Sequence, residues 1–149
     1  VAGPGAQHPV ELILLRQFAS RINIAIALFD PCGRLIYLNP AAEETFGVEF
    51  ARLEGHSLEQ LLAMAQPTDV NGTRLDAQTA PVGHTLAGGG YEMRTVSVRD
   101  ARGRERRLET LTIPVQGQGG NVFGVMSIIW EQADAEPTEH SADEATAGE

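Results

Sequence analysis

The segment 33–47, GRLIYLNPAAEETFG, passes from one backbone state to another with no linker between them. Leu35, Ile36, Tyr37 and Leu38 read as a short strand, and the next two residues, Asn39 and Pro40, open a helix. The Asn39 side chain suits an N-cap, where it accepts a hydrogen bond from an early helical N–H. Proline suits the first helical position, because its missing N–H would have had no partner there. Glu43 and Glu44 then lie near the positive end of the helix dipole. Gly47 is placed to end the helix in a left-handed conformation. A junction this abrupt constrains the elements on both sides of it.

Upstream, the run 22–29 is apolar, and Asp30-Pro31-Cys32-Gly33 carries turn-forming residues at the right places. With 34–38 returning as a strand, the pair is a hairpin. Before it, Pro9 suits the first turn of a helix over 9–21. Val10, Leu12, Ile13, Leu14, Leu15, Phe18 and Ala19 go most of the way round that helix, whereas an ordinary surface helix has one apolar stripe. Two partners are implied: the body of its own domain and something else. Val10, Ile13, Leu14 and Phe18 are the candidates for a dimer contact.

Downstream, 49–53 reads as a short turn closed by Gly55. Ser57 caps LEQLLAMA, DVNGTRL is a polar loop, and DAQTAPVGHTLAGGG predicts a helix stopped by three glycines. Three strands follow. YEMRTVSVRD alternates, 106–115 returns after an ARGR hairpin tip, and VFGVMSIIWE is continuously apolar. A continuous apolar strand is expected at the centre of a sheet, covered on both faces.

The chain of 149 residues is one domain on length alone. It is large enough to fold without a disulfide or metal. The single cysteine, Cys32, has no internal partner, which fits a reducing compartment, the cytoplasm. No apolar run reaches the roughly 18 residues of a membrane span, and the first eight residues carry no basic cluster of a secretory signal. The formal charge of −9 owes much to the tail 133–149, which holds six of the twenty acids and no base. That tail and the head 1–8 are too polar or too small-residued to order themselves and are expected to be loose. The remaining body is nearly neutral, which argues against general nucleic-acid binding. All eleven basic residues are arginine, a coding bias rather than a function.

The order helix, two strands, short helices, three strands, together with IALFDPCGRLIYLNPAAEETFG, Gly55 and the closing strands, resembles a PAS domain over about 9–132. PVGHTLAGG followed by RDARGRERRLETLTIPVQGQGGNVFGV is similar to the subset with a Pro-led long helix before the third strand. The resemblance implies an α+β fold with a five-stranded antiparallel sheet in spatial order 2-1-5-4-3. Short helices cover one face, and Asn39 becomes the structural cap where the second strand meets the crossing helices. It also implies a non-catalytic sensor or interaction module. Such a module acts in signal transduction by dimerising and by binding a small apolar ligand or a signalling protein in trans. The place where many PAS domains carry Asp-Ile-Thr reads Glu131-Gln132-Ala133, and no effector domain follows within this chain, so a signal is expected to leave by association.

A haem or flavin sensor is the first alternative, but the sequence requires no cofactor. Light-sensing relatives place an adduct cysteine at the start of a later helix, whereas Cys32 is in the first hairpin turn. His84 is a weak haem-ligand candidate, because Val82 and Leu86 share one helical face and His84 points roughly opposite. His8, His56 and His140 share no metal-ligand spacing. A small enzyme is disfavoured: GHSLE lacks the second glycine of a nucleophile elbow, GQGQGG is followed by no helix that would cradle phosphate, and no catalytic set is evident.

Arg94, Arg99, Arg102, Arg104, Arg106 and Arg107 cluster around the second hairpin. They read either as a dock for an acidic partner or as a solvated face neutralised in part by Asp100, Glu105 and Glu109. For an internal ligand pocket, the apolar pattern nominates Ile26, Leu28, Phe46, Leu62, Leu86, Val96, Met126 and Ile128.

Overall fold

The computed structural model describes residues 9–131. The head and the acidic tail expected to be loose lie outside the described residues. The elements are α1 (Val10–Ala19), β1 (Ala25–Phe29), β2 (Leu35–Leu38), α2 (Pro40–Phe46), α3 (Phe50–Leu53), α4 (Leu58–Ala65), α5 (Pro81–His84), β3 (Glu92–Arg99), β4 (Glu105–Gln116) and β5 (Val122–Glu131). The strands make one antiparallel sheet in the order β2-β1-β5-β4-β3. The apolar β5 is at its centre, as its composition required.

Asn39 governs the junction between β2 and α2. Its side chain is fully buried, and every one of its polar atoms is used. Oδ1 accepts from Ala42 N at 2.9 Å, which caps α2, and from Ile26 N at 2.9 Å, which extends the ladder of β1. Nδ2 donates to the carbonyls of Ala19 at 3.0 Å, Ile22 at 3.2 Å and Ile24 at 2.7 Å. One amide thus holds the end of α1, the connection to β1 and the start of α2.

The same contacts explain why two elements are shorter than their sequence pattern. The helix expected over 9–21 runs from Val10 to Ala19, with Pro9 as its cap rather than its first residue. Its final carbonyls turn toward Asn39 and toward the amide of Ile22 instead of continuing the helix. The strand expected from residue 22 begins at Ala25, because Ile22 and Ile24 give their carbonyls to the same amide. The long helix expected before β3 is instead the single turn α5 and a widened helical turn over Thr85–Gly89. Gly88, with φ of 96°, breaks its regular geometry.

Three turns share one design. In Asp30–Gly33, Asp69–Gly72 and Asp100–Gly103, the Asp Oδ1 accepts from the amides two and four residues on. The Asp carbonyl accepts from the glycine amide each time. The glycines have φ of 87°, 83° and 83°, a region that disfavours any residue with a Cβ. The polar loop DVNGTRL is therefore a third tight turn, closed by the bridge between Thr68 and Arg74.

The sheet has two unlike faces. Ala25, Ala27, Phe29, Leu35, Leu38, Val96, Val98, Leu108, Val125 and Ile129 pack with residues of α2 to α5 in the main core. On the other face, Ile26 and Leu28 pack with Ala19 of α1 and with Ile36, Tyr37, Met126 and Ile128. Arg16 of α1 lies over the Tyr37 ring at 4.9 Å.

Replacing Asn39 by Ala removes a helix cap, costing about 1 kcal/mol, and orphans buried backbone groups at about 1–3 kcal/mol each. We expect Asn39→Ala to lose about 3–5 kcal/mol in denaturant unfolding. Asn39→Asp should lose at least as much despite keeping the cap, because its second carboxylate oxygen would face three carbonyls. Near-normal stability of the Asp variant would show that the amide donor is dispensable.

Candidate ligand-binding site

A cavity of about 460 Å³ lies between the inner face of the sheet and the helices. It is deep over the central strands because small side chains stand opposite one another there: Ala27 of β1 is directly paired with Ser127 of β5. Its walls are aliphatic, with Leu35 and Leu38 from β2, Phe46 from α2, Leu58, Leu61 and Leu62 from α4, Val82 from α5, and Val96 and Leu108 from β3 and β4. Met64, Arg99, Ala101 and Gly103 line it but are exposed, so the opening lies between α4 and the β3–β4 turn.

The cavity opens to solvent on one side, so water reaches it when no guest is present. Water entering such a cavity meets few polar groups. Thr110 is buried in the lining, and its hydroxyl donates to Arg94 O at 3.2 Å. Ser127 is buried in the lining too, and its hydroxyl has no hydrogen-bond partner among the described residues. Beside them, the Thr112 hydroxyl is shared with Thr85 Oγ1 at 2.9 Å.

The opening is held by charge. Asp100 is buried at the β3–β4 turn and faces Arg106 at 3.2 Å, Arg104 at 3.4 Å and Arg102 at 3.6 Å. Burial by itself would raise its carboxyl. The amides of Arg104 and Arg102 and the guanidiniums of Arg106 and Arg104 outweigh that and hold it below its ordinary 3.8, at about 2. The same turn grips the end of α2: Ala101 N donates to Phe46 O at 2.9 Å, Arg102 Nη2 to Glu44 O at 3.0 Å, and Arg106 Nη1 to Thr45 O at 3.0 Å. These are helix-end carbonyls without helical partners, where cations are favoured. Arg106 also donates to Glu131 at 2.6 Å, tying the turn to the end of β5. Much of the arginine cluster is therefore internal wiring, with Glu131 as a carboxylate partner that the sequence pattern did not single out.

Three of the eight nominated pocket residues, Phe46, Leu62 and Val96, line the cavity. Ile26, Leu28, Met126 and Ile128 do not, because they project from the opposite face toward α1. Leu86 packs against the main core beside Gly33 without lining the cavity. The inward residues of the central strands are Ala27, Phe29, Ser127 and Ile129 instead. A signal for them was present: Ser127 is the lone polar residue inside an apolar central strand, and Ala27 stands beside larger side chains.

A family model described as the PAS fold matches residues 19–136. The chain belongs to the PAS-fold family. Members of this family are sensor modules in signalling. Among solved structures, the chain is similar to the PAS domain of Bordetella pertussis BvgS, at 16% identity and a TM-score of 0.64, covering 95% of this chain and 100% of that one. It is similar to the Rhodobacter sphaeroides LOV protein at 17% identity and a TM-score of 0.69, covering 94% of this chain and 78% of that one. The PAS domain of nitrogen regulation protein NR(II) from Vibrio parahaemolyticus matches at 21% identity and a TM-score of 0.58, covering 80% of this chain and 98% of that one. No curated protein matches by sequence. At these identities the likeness is one of fold.

The PAS cavity of this chain does not fit a cysteinyl-flavin site. Its sole cysteine, Cys32, is exposed at the β1–β2 turn and does not line the cavity. Nor does it offer a histidine to haem iron, because His84 is half-exposed on the far side of α5, with Nδ1 at 2.7 Å from Glu92 Oε1. Among the described residues, no group of three His, Cys, Asp or Glu side chains could hold a metal ion. No helix among them is long and apolar enough to cross a membrane.

Because the folded pKa of Asp100 is lowered, its contribution to stability is fully present above the ordinary 3.8 and lost as pH falls through about 2. Melting temperatures of the unaltered protein should therefore drop between about pH 4 and pH 2 more steeply than those of Asp100→Asn. The variant should also melt lower at neutral pH, where it lacks the carboxylate. Parallel curves over that window would mean that Asp100 does not carry the effect.

Proposed function

We propose that this PAS domain is a non-catalytic sensor that binds a small apolar ligand in the cavity and dimerises through α1 and the outer sheet face. The cavity carries the first part of the reading: its walls are aliphatic, it is too large to be a packing defect, and it falls in the usual size range of ligand sites. Phe46, Leu62 and Val96 are the ligand-contacting residues we assign from the sequence, joined by Ala27 and Ser127. A ligand present at a hundredfold its Kd stabilises the fold by about 2.7 kcal/mol, which for a domain of this size raises Tm by about 5–10 °C. In native mass spectrometry of the full chain, bound ligand should appear as a mass excess that vanishes on denaturation. Leu62→Trp, which fills the cavity, should abolish both the excess and the Tm shift. An excess that survives in Leu62→Trp would place the ligand elsewhere.

Support for the second part comes from exposed apolar residues. Val10, Ile13, Leu14 and Phe18 of α1 are all exposed, Phe18 by 61%. Leu111, Ile113, Met126, Ile128 and Trp130 are only half-buried on the adjoining outer face of β4 and β5. Burying a leucine or phenylalanine is worth about 1.5–3 kcal/mol, so a second copy covering this face would gain several such increments. The double variant Leu14→Glu, Phe18→Glu should be monomeric in sedimentation with its circular dichroism unchanged. A dimer that persists would refute the α1 interface. A signalling protein docking in trans on the same face is the second reading, favoured if the unaltered chain is itself monomeric. The exposed thiol of Cys32 supports a reducing, cytoplasmic setting.

A further inference from the structure

We propose that the cavity selects an uncharged, compact apolar molecule carrying one hydroxyl group, seated with that hydroxyl on Ser127. This rests on the cavity-binding reading above and specifies its ligand. Taking about 30 Å³ for each water-sized atom, the 460 Å³ cavity admits roughly fifteen non-hydrogen atoms.

Away from the charged opening, the polar side chains of the lining are Ser127 and Thr110. Ser127 is 4% exposed, its side chain lines the cavity, and its hydroxyl has no partner among the described residues. The Ser127 hydroxyl faces the open space of the cavity, and a guest that covers it without supplying a partner must strip it of water at a cost, so a guest that supplies one is preferred over a hydrocarbon of the same shape. The neighbouring hydroxyls are committed in a way that narrows the guest. Thr112 is engaged by Thr85 at 2.9 Å and by the Glu92 carbonyl at 3.4 Å. Thr110 spends its proton on Arg94 O at 3.2 Å and keeps only acceptor capacity. Thr110 lies on β4 opposite Ile129, one inward position along from Ser127. A guest hydroxyl satisfies this arrangement, because it accepts from Ser127 and donates its own proton to the Thr110 oxygen. A carbonyl meets half of it.

Charge excludes an acid or an amine at the same place. The charged groups of the lining, Arg99 and Asp100, are at the opening and are already engaged: Arg99 donates to Gly103 O at 2.9 Å, and Asp100 faces three arginines. An ionised head group on the floor would be buried without a counter-ion, which is strongly unfavourable.

The test uses the full chain and competition against the neutral fluorescent probe 1-aminoanthracene, which is small enough for the cavity. Three competitors of similar shape are compared: phenylbutanol, pentylbenzene and phenylbutyrate. We expect phenylbutanol to weaken by about 3- to 10-fold in Ser127→Ala, the usual worth of one hydrogen bond. Pentylbenzene should bind at least as well in Ser127→Ala, and phenylbutyrate should compete least in the unaltered protein. Equal affinity of phenylbutanol for the unaltered protein and Ser127→Ala, with binding still lost in Leu62→Trp, would overturn the hydroxyl assignment and leave the cavity reading standing. Phenylbutyrate binding best, and weakening in Arg99→Gln, would overturn it in favour of an anionic head at the opening. No displacement by any of the three, with the probe bound equally well by Leu62→Trp, would overturn the cavity reading and this inference with it.

Discussion

The fully buried amide of Asn39 is the contact on which the rest of the structure depends. A buried amide is tolerated only when its donors and acceptors are met, and here meeting them assembles the fold. The acceptor oxygen joins β1 to α2, and the donor nitrogen collects three carbonyls from the end of α1 and the chain behind it. Because one rigid group makes all these contacts, α1 and α2 leave the sheet at fixed positions on opposite faces. The inner face then belongs to the short helices and the outer face to α1.

That division separates two kinds of burial. The inner face is lined by small residues on the central strands and by aliphatic residues on the helices, which leaves volume between them. The outer face carries larger side chains, which α1 covers over β1 and leaves half-exposed over β4 and β5. Removing apolar area from water is favourable on either face. On the inner side a small guest can do so, and on the outer side only another polypeptide is large enough.

The β3–β4 turn connects these parts. Asp100 gathers three arginines, two of which also bind the last carbonyls of α2, and Arg106 reaches Glu131. The opening of the cavity, the wall residue Phe46 and the end of the central strand therefore belong to one hydrogen-bonded unit. A charge buried in this way persists because its partners are held by backbone that the sheet already fixes.

The fold was legible in the sequence because its determinants are local. Asn39-Pro40 announces the strand-to-helix junction, Asp30 and Gly33 the first turn, and the unbroken apolar run of β5 its central place. The three Asp-x-x-Gly turns and the Ser57 cap likewise depend on residues no more than four apart. Half of the site was not legible. In β1 all five residues are buried, since α1 covers one face and the cavity helices the other, so alternation of polar and apolar residues disappears. Ile26 and Leu28 then look as suitable for a pocket as Ala27 and Phe29 do, and only the pairing of Ala27 with Ser127 across two strands decides between them. What the sequence determined by itself was the set of elements and their junctions, through capping, turn chemistry and apolar runs. Which face of each central strand meets the cavity was decided only by the tertiary structure, because strand parity depends on hydrogen-bond register with neighbours far away in the chain.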